Sequence, residues 1–263
     1  MDRLLCFALF VTVILGQSGS SRVELTSPIA FAIRVYQPTG ASRVEWMEMS
    51  PATRSAVRLT TAERMHCLAS QGGTASAEAQ ARFESAIGQR KLLTASIDGA
   101  MVAYVDRDPG VPPPVPNPWG CADCFYAELK VARTSDGTVL STMRLPEFGD
   151  HWNYATSITW SADGRMLLVG SEAGPTDSKF EDYWLLEWTA HRWRYAGGGN
   201  GAKWSPDSTQ ILWAAARTLE AIGSIRVWVV HPILVDVRTL EQSALTTGTS
   251  LVSEFFWCPP SAG

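Results

Sequence analysis

Residues 158–170 read ITWSADGRMLLVG, and residues 202–214 read AKWSPDSTQILWA. Each is a short apolar run ending in tryptophan, then Ser-x-Asp and a small residue, then a second apolar run. The pattern predicts two antiparallel strands joined by a tight turn, because Asp bonds its own turn backbone and a small residue tolerates the tight curvature. Trp160 and Trp204 lie 44 positions apart, as do Asp163 and Asp207, so the unit repeats.

Weaker copies extend the series. Leu92–Val105 (LLTASIDGAMVAYV) carries the turn Ser96-Ile97-Asp98-Gly99, with Ala95 in the tryptophan position. Leu251–Trp257 (LVSEFFW) matches the first strand only and runs into Cys258-Pro259-Pro260. A further hairpin is expected where Phe125–Ala132 and Thr138–Leu145 flank Ser135-Asp136-Gly137. Towards the N-terminus, Ile29–Tyr36, Val44–Met49 and Ala56–Thr60 read as a three-strand meander broken by turn residues. Beyond the two clear hairpins, Tyr183–Trp188, Trp193–Ala196, Ile225–Val230 and Leu234–Arg238 read as outer strands.

Four-stranded units opened by such a hairpin predict an all-β fold, a small β-propeller in which neighbouring blades share their apolar faces. The segments SADGRMLLVG, SPDSTQILWA and SIDGAMVAYV resemble the Ser-Pro-Asp-Gly hairpins of TolB-like and WD40-like propeller repeats. That resemblance implies that the innermost strand precedes each Asp turn, and that the molecule is a scaffold for protein–protein contact. The Gly-His and Trp-Asp marks of true WD40 repeats are absent. The meander lacks an inner strand and the C-terminal copy lacks a second one, so about four blades are expected, the last built from both chain ends. A truncated piece of a larger propeller is the rival reading.

One helix is expected inside this framework, over about 75–88. Ala79, Phe83, Ala86 and Ile87 share a helical face, Ser76 suits the cap and Gly88 the terminus. A proline-rich loop, 109–120, contains Val111-Pro112-Pro113-Pro114-Val115-Pro116 and cannot enter a central strand.

At the start of the chain, Arg3 precedes the apolar run Leu4–Leu15, and Ser18-Gly19-Ser20 supplies small residues for cleavage. This predicts a signal peptide over 1–20 and a mature domain over 21–263, secreted or periplasmic, with no stable membrane span once cleaved. Removing Cys6 leaves Cys67, Cys121, Cys124 and Cys258. In an oxidising compartment four cysteines favour disulfides, and the preferred pairing is Cys121–Cys124 with Cys67–Cys258.

Composition narrows the function classes. The 263 residues carry a net charge of −4 with no Lys/Arg block, which sets nucleic-acid binding aside. Eleven tryptophans call for either a core or a ligand surface. Trp160, Trp204 and Trp257 recur at one structural position and are expected in the core. Trp119, Trp152 and Trp184 lie in or beside loops and, with His151, form the candidate binding surface.

No catalytic, cofactor or metal site is predicted. Asp98, Asp163 and Asp207 are turn residues, and Cys121-Ala122-Asp123-Cys124 follows a loop instead of opening a helix as a redox pair would. Asp106-Arg107-Asp108 lacks the glycine and terminal glutamate of a calcium loop. Gly197–Gly201 leads to no Gly-Lys-Ser/Thr, and Gly170-Ser171-Glu172 is no nucleophile elbow. The expectation is a non-catalytic scaffold that binds another protein or an envelope component. The alternative is a secreted glycan or peptide hydrolase with its site in the central funnel.

Overall fold

A computed structural model describes residues 23–36, 42–51, 56–69, 74–88, 90–106, 128–146, 155–172, 181–214, 218–222, 225–229, 232–245 and 252–258. The chain opens with strands β1 (Ile29–Tyr36), β2 (Ser42–Met49) and β3 (Ala56–Arg58), then helices α1 (Thr61–Ala69) and α2 (Thr74–Ile87). Strands β4 (Lys91–Ala95), β5 (Met101–Asp106), β6 (Glu128–Arg133) and β7 (Val139–Arg144) follow. Next come β8 (Ala155–Trp160), β9 (Met166–Glu172), β10 (Glu181–Glu187), the long β11 (Arg192–Trp204) and β12 (Gln210–Ala214). The remainder is β13 (Thr218–Ile222), β14 (Ile225–Val229), β15 (Pro232–Asp236), β16 (Gln242–Ala244) and β17 (Val252–Trp257).

These strands make four antiparallel units. Unit I is β17-β1-β2-β3, and unit II is β4-β5-β6-β7. Units III and IV form one seven-stranded sheet because β11 serves both. Its residues 192–199 pair with β10 to complete unit III, and its residues 200–204 pair with β12 to open unit IV. The glycine stretch lets β11 pass between units. A Cβ on Gly199 would lie 2.5 Å from the Trp213 ring and 2.7 Å from the Ala214 carbonyl oxygen, so the crossing requires glycine there.

The opening hairpin is the same object in each copy. Ser96, Ser161 and Ser205 each donate their hydroxyl to the Asp two residues on, at 2.6, 2.7 and 2.6 Å. Each serine oxygen also accepts the N–H of the next strand's first residue, Met101, Met166 or Gln210. The Asp carboxylate accepts a second backbone N–H, from Ala100, Arg165 or Thr209. The fourth turn position has positive φ in all three, 69° at Gly99, 70° at Gly164 and 63° at Ser208.

The half copy ending at Trp257 finds its second strand in β1. Trp257 pairs with Ile29, just as Trp160 pairs with Leu167 and Trp204 with Ile211. Ser161 and Ser205 donate their N–H across the hairpin to Met166 and Gln210, and Cys258 donates in the same way to Pro28. Cys258 therefore stands in the serine position of a hairpin assembled from both ends of the chain.

The units stack face to face. Ala103, Val105, Leu129 and Val131 of unit II pack on Ile158, Trp160, Leu167 and Leu186 of unit III. The opposite face of unit III (Leu168, Tyr183, Leu185) meets Ile211, Trp213 and Val235 of unit IV. Leu212, Ala214 and Leu234 of unit IV then meet Ile29, Phe31, Phe255 and Trp257 of unit I. Helix α2 covers the outer face of unit II with Ala79 and Phe83, and α1 covers the outer face of unit I with Cys67. The layer order is thus α2, II, III, IV, I, α1.

Several expectations change. The insertion holds two helices, not one. The capping box that starts α1 is legible afterwards in Thr60-x-x-Glu63: Thr60 N–H donates to the Glu63 carboxylate at 2.7 Å, and Glu63 N–H donates to Thr60 Oγ1 at 3.3 Å. Helix α2 begins at Thr74, before Ser76, and its Ala86 is exposed rather than part of the buried face. Residues 225–229 pair with β13 in a separate two-stranded ladder instead of joining unit IV. No sheet among the described strands closes on itself.

Candidate functional site

The two ends of the stack differ in construction. At one end the strands are joined by short turns, residues 96–100, 134–138, 161–165, 188–191, 205–209 and 237–241. At the other end lie the strand termini that bound segments 107–127, 145–154, 173–180 and 215–231. The tight end is sewn together between units: Asp163 N–H donates to Ser208 Oγ at 3.0 Å, and Thr26 N–H donates to the Gln210 side-chain oxygen at 2.9 Å. The loop-bearing end is where variable chemistry can be mounted without disturbing the repeat.

Of the candidate surface, Trp119, His151 and Trp152 lie outside the described residues, as do Cys121 and Cys124 and the segment 1–20. Trp184 lies within them. It sits on β10, half-buried, opposite Tyr195 of β11, with ring centroids 5.1 Å apart. Tyr195 is 45% exposed and donates its hydroxyl to Asp182 at 2.8 Å. Burial and the Asp182 carboxylate together push the Tyr195 phenol up to about 12.

The same strand as Trp184, β10, carries a second polar group that the sequence did not single out. The Glu181 carboxylate accepts from Thr156 Oγ1 and from the Tyr183 hydroxyl, both at 2.5 Å. Tyr183 is buried, its oxygen accepts Ala202 N–H at 3.2 Å, and burial with the Glu181 bond holds its phenol far above the usual tyrosine range. Gly170 leaves room for this arrangement, since a Cβ there would lie 2.3 Å from Ser157 Oγ and 3.0 Å from the Glu181 carboxylate. On unit II, Lys130 bridges Asp106 at 3.0 Å and Glu128 at 3.4 Å. Burial opposes the Lys130 charge, but the two carboxylates outweigh it and keep the ammonium above its ordinary value. No spacing in the sequence could pair Thr156 with Glu181 or Lys130 with Asp106, because the contacts cross strands.

Catalytic arrangements are weakly represented. Ser141 Oγ lies 2.7 Å from His191 Nε2, a serine–imidazole contact between units II and III. Ser141 is buried, and among the described residues no carboxylate orients the imidazole, so the pair lacks the third member of a nucleophilic triad. Among the described residues one group of metal-ligand types converges, Glu48 with Cys67 and Cys258. Cys67 and Cys258 are joined in a disulfide, which occupies both sulfurs. The preferred pairing of these two cysteines is therefore observed. Burial first, and then the charge of Glu63, raise the Glu48 carboxyl above its usual range.

Trp160, Trp204 and Trp257 are structural, as their repetition suggests. Their indole N–H groups donate to the carbonyls of Thr94, Thr159 and Lys203, at 3.1, 3.3 and 3.0 Å. Each acceptor immediately precedes the equivalent position of the neighbouring unit, so every tryptophan ties its own inner strand to the one before. Trp160 and Trp257 are buried and Trp204 is half-buried.

No protein-family model matches the chain, and no curated protein matches it. Among solved structures it is similar to TolB from Acinetobacter baumannii, with 14% identity over 91% of this chain and 48% of that chain, at a TM-score of 0.38. It is also similar to the β-propeller domain of the Trilobed protease from Pyrococcus furiosus, with 10% identity over 87% of this chain and 54% of that chain, at a TM-score of 0.34. A third is the C-terminal WD40 domain of Sif2, with 18% identity over 64% of this chain and 40% of that chain, at a TM-score of 0.32. The chain spans about half the length of the first two structures. The resemblance is to TolB-like and WD40-like β-propellers.

Proposed function

We propose that the chain is a non-catalytic binding scaffold, a four-bladed ring that holds a partner protein or envelope component on its loop-bearing end. The observation that carries this reading is the asymmetry of the two ends. Every repeated turn at one end is consumed in satisfying its own backbone. The other end carries the long connections, beside the Trp184–Tyr195 pair and the Glu181 and Lys130 networks.

Ring closure is supported by chain connectivity. Helix α1 rests on the outer face of unit I and α2 on the outer face of unit II, the two extremes of the stack. Only residues 70–73 separate the helices, so Ala69 and Thr74 are at most about 18 Å apart along an extended chain. A straight four-layer stack would hold its extremes some 30 Å apart at about 10 Å per layer spacing. This short connection supports a curved stack with the helix pair in the wedge between units I and II.

Secretion or periplasmic residence follows from the predicted cleavage of 1–20 and agrees with a disulfide that an oxidising compartment would maintain. No helix among the described residues is long and apolar enough to cross a membrane. The test is site-specific photo-crosslinking in the native envelope, with probes at Trp119, His151 and Trp152 and, on the turn end, at Ile97 and Arg165. The reading expects one discrete adduct from the loop-end probes and none from the turn-end probes. Equal labelling from both ends would defeat it.

A further inference from the structure

A second surface lies on the outer side of unit II, away from the loop-bearing end. A cavity of about 650 Å³ opens between α2 and the sheet, lined by Arg82 and Ala86 of the helix and by Met101, Arg133 and Leu140 of the strands. Strand β7 is the terminal strand of this sheet, paired only with β6 among the described strands. Its first five residues, Val139-Leu140-Ser141-Thr142-Met143, carry no charge. Sheet edges are commonly guarded by charged side chains or proline, and this one has neither until Arg144. Val139 is 46% exposed and Leu140 40%, so the edge presents apolar side chains to solvent beside the cavity.

We infer that this edge and cavity form a docking site for an extended acidic segment of a partner protein, added as a strand along β7. Three observations select that occupant. The open edge supplies a backbone ladder, the physical basis of strand addition. The apolar floor of Ala86 and Leu140 accepts one aliphatic side chain; the Met101 side chain packs towards unit III. The charges complement an acid: in a chain of net charge −4, both ionisable groups lining the cavity are arginines. Neither is strongly committed elsewhere. Arg82 reaches Glu78 only at 3.9 Å, with both side chains mostly exposed. Arg133 pairs at 2.9 Å with Asp136 in an exposed turn, where competition by an incoming carboxylate costs little. Guanidinium groups bind carboxylates bidentately, so two of them beside an apolar floor read a carboxylate next to an aliphatic residue.

The cavity exists because α2 stands over the sheet on Phe83. Ala86, one turn further along the helix face, is too small to close the gap and stays exposed, which is why the helical periodicity overestimates the buried face.

The test is selection of phage-displayed random dodecapeptides on the intact protein, then fluorescence anisotropy with the enriched peptides, fluorescein-labelled. Enriched peptides are expected to place Asp or Glu beside an aliphatic residue. Their affinity should fall at least tenfold for Arg82→Glu/Arg133→Glu and, independently, for Leu140→Asp. All three side chains are at the surface or the cavity rim, and an unchanged melting curve confirms that each variant folds. Replacing the peptide's acids by lysine should restore binding to the Arg82→Glu/Arg133→Glu variant. No enrichment above a blank selection, peptides without acidic residues, or binding that these variants leave unchanged would each overturn the inference. Loss of binding in Trp184→Ala alone would assign the peptides to the loop-bearing end and overturn it as well. The site does not depend on the scaffold reading, so either can fail without the other.

Discussion

The tryptophan of the repeat does two jobs, and the indole N–H distinguishes them. Trp160 fills the boundary between units II and III and bonds the Thr94 carbonyl at 3.1 Å. Trp160→Phe keeps most of the apolar contact but strands an acceptor. It should cost about 1–3 kcal/mol, measured by urea denaturation, the usual penalty for an unpaired buried polar group. The turn aspartates make a pH prediction. Ser96 first, and then Ala100 N–H, hold the Asp98 carboxyl below its usual range. Burial opposes the charge of Asp207, yet bonds from Ser205, Thr209 and Thr26 outweigh it and lower that carboxyl too. Groups depressed in the folded state stabilise it above their unfolded pKa, about 3.9, and that contribution is lost as pH falls through the folded value. Thermal midpoints should therefore decline below about pH 4, and less steeply in Asp98→Asn. Tyr195 gives the opposite sign. Its phenol, raised to about 12, favours the folded state below the ordinary value near 10 and loses that contribution as pH rises towards 12. Spectrophotometric titration should show late-ionising tyrosines, of which the Tyr195 component shifts down in Asp182→Asn.

Helix α2 holds to its sheet through a small footprint. Among its described side chains Ala79 and Phe83 are fully buried, and Phe83 packs on Tyr104 with ring centroids 5.6 Å apart. The surface beneath them has Ala95 where the other copies have tryptophan, so the phenyl ring occupies the face that a neighbouring unit's side chains would cover elsewhere. Phe83→Ala should cost about 3–5 kcal/mol, as truncation of a fully buried aromatic generally does. The release should be local, with proteolysis near residues 70–73 accelerated before the sheets lose their circular dichroism. Helix α1 is held differently, by its disulfide and by the Arg64 guanidinium 4.6 Å from the centre of the Trp46 ring. Helix α1 should therefore tolerate Arg64→Ala better than α2 tolerates Phe83→Ala.

For the molecule as a whole, the Cys67–Cys258 bond ties the C-terminal strand to the helix that follows β3. It spans 191 residues of sequence. A loop of that length corresponds to roughly 5 kcal/mol of unfolded-state entropy in the chain-constraint model, a ceiling for the effect. Cys67→Ser/Cys258→Ser should lower the denaturation midpoint substantially, and a reducing agent should lower that of the wild type by much more than that of the variant. Deleting Leu251–Gly263 is the stronger intervention. It removes β17 and Cys258, exposes the edge of β1, and should yield a destabilised, self-associating product by light scattering. A product as stable and monomeric as the full chain would show that unit I does not need its inner strand.

What the sequence determined by itself was local and periodic. The Ser-x-Asp turn is a closed set of short-range bonds, so every copy of it could be read from residues within a few positions of one another. The incomplete copy at Trp257 pointed to a strand elsewhere because an apolar run without a partner cannot satisfy its backbone. The second helix escaped although its start was marked locally, by the reciprocal Thr60–Glu63 cap. Apart from the β1–β17 pairing and the Cys67–Cys258 bond, tertiary structure alone decided what crosses strands: the donors around Glu181, the bridge on Lys130, the disposition of α1 and α2 on opposite extremes of the stack, and the cavity beside β7. Those contacts join residues tens to nearly two hundred positions apart, and which of them meet is set by sheet register and layer order, properties that no local window of sequence contains.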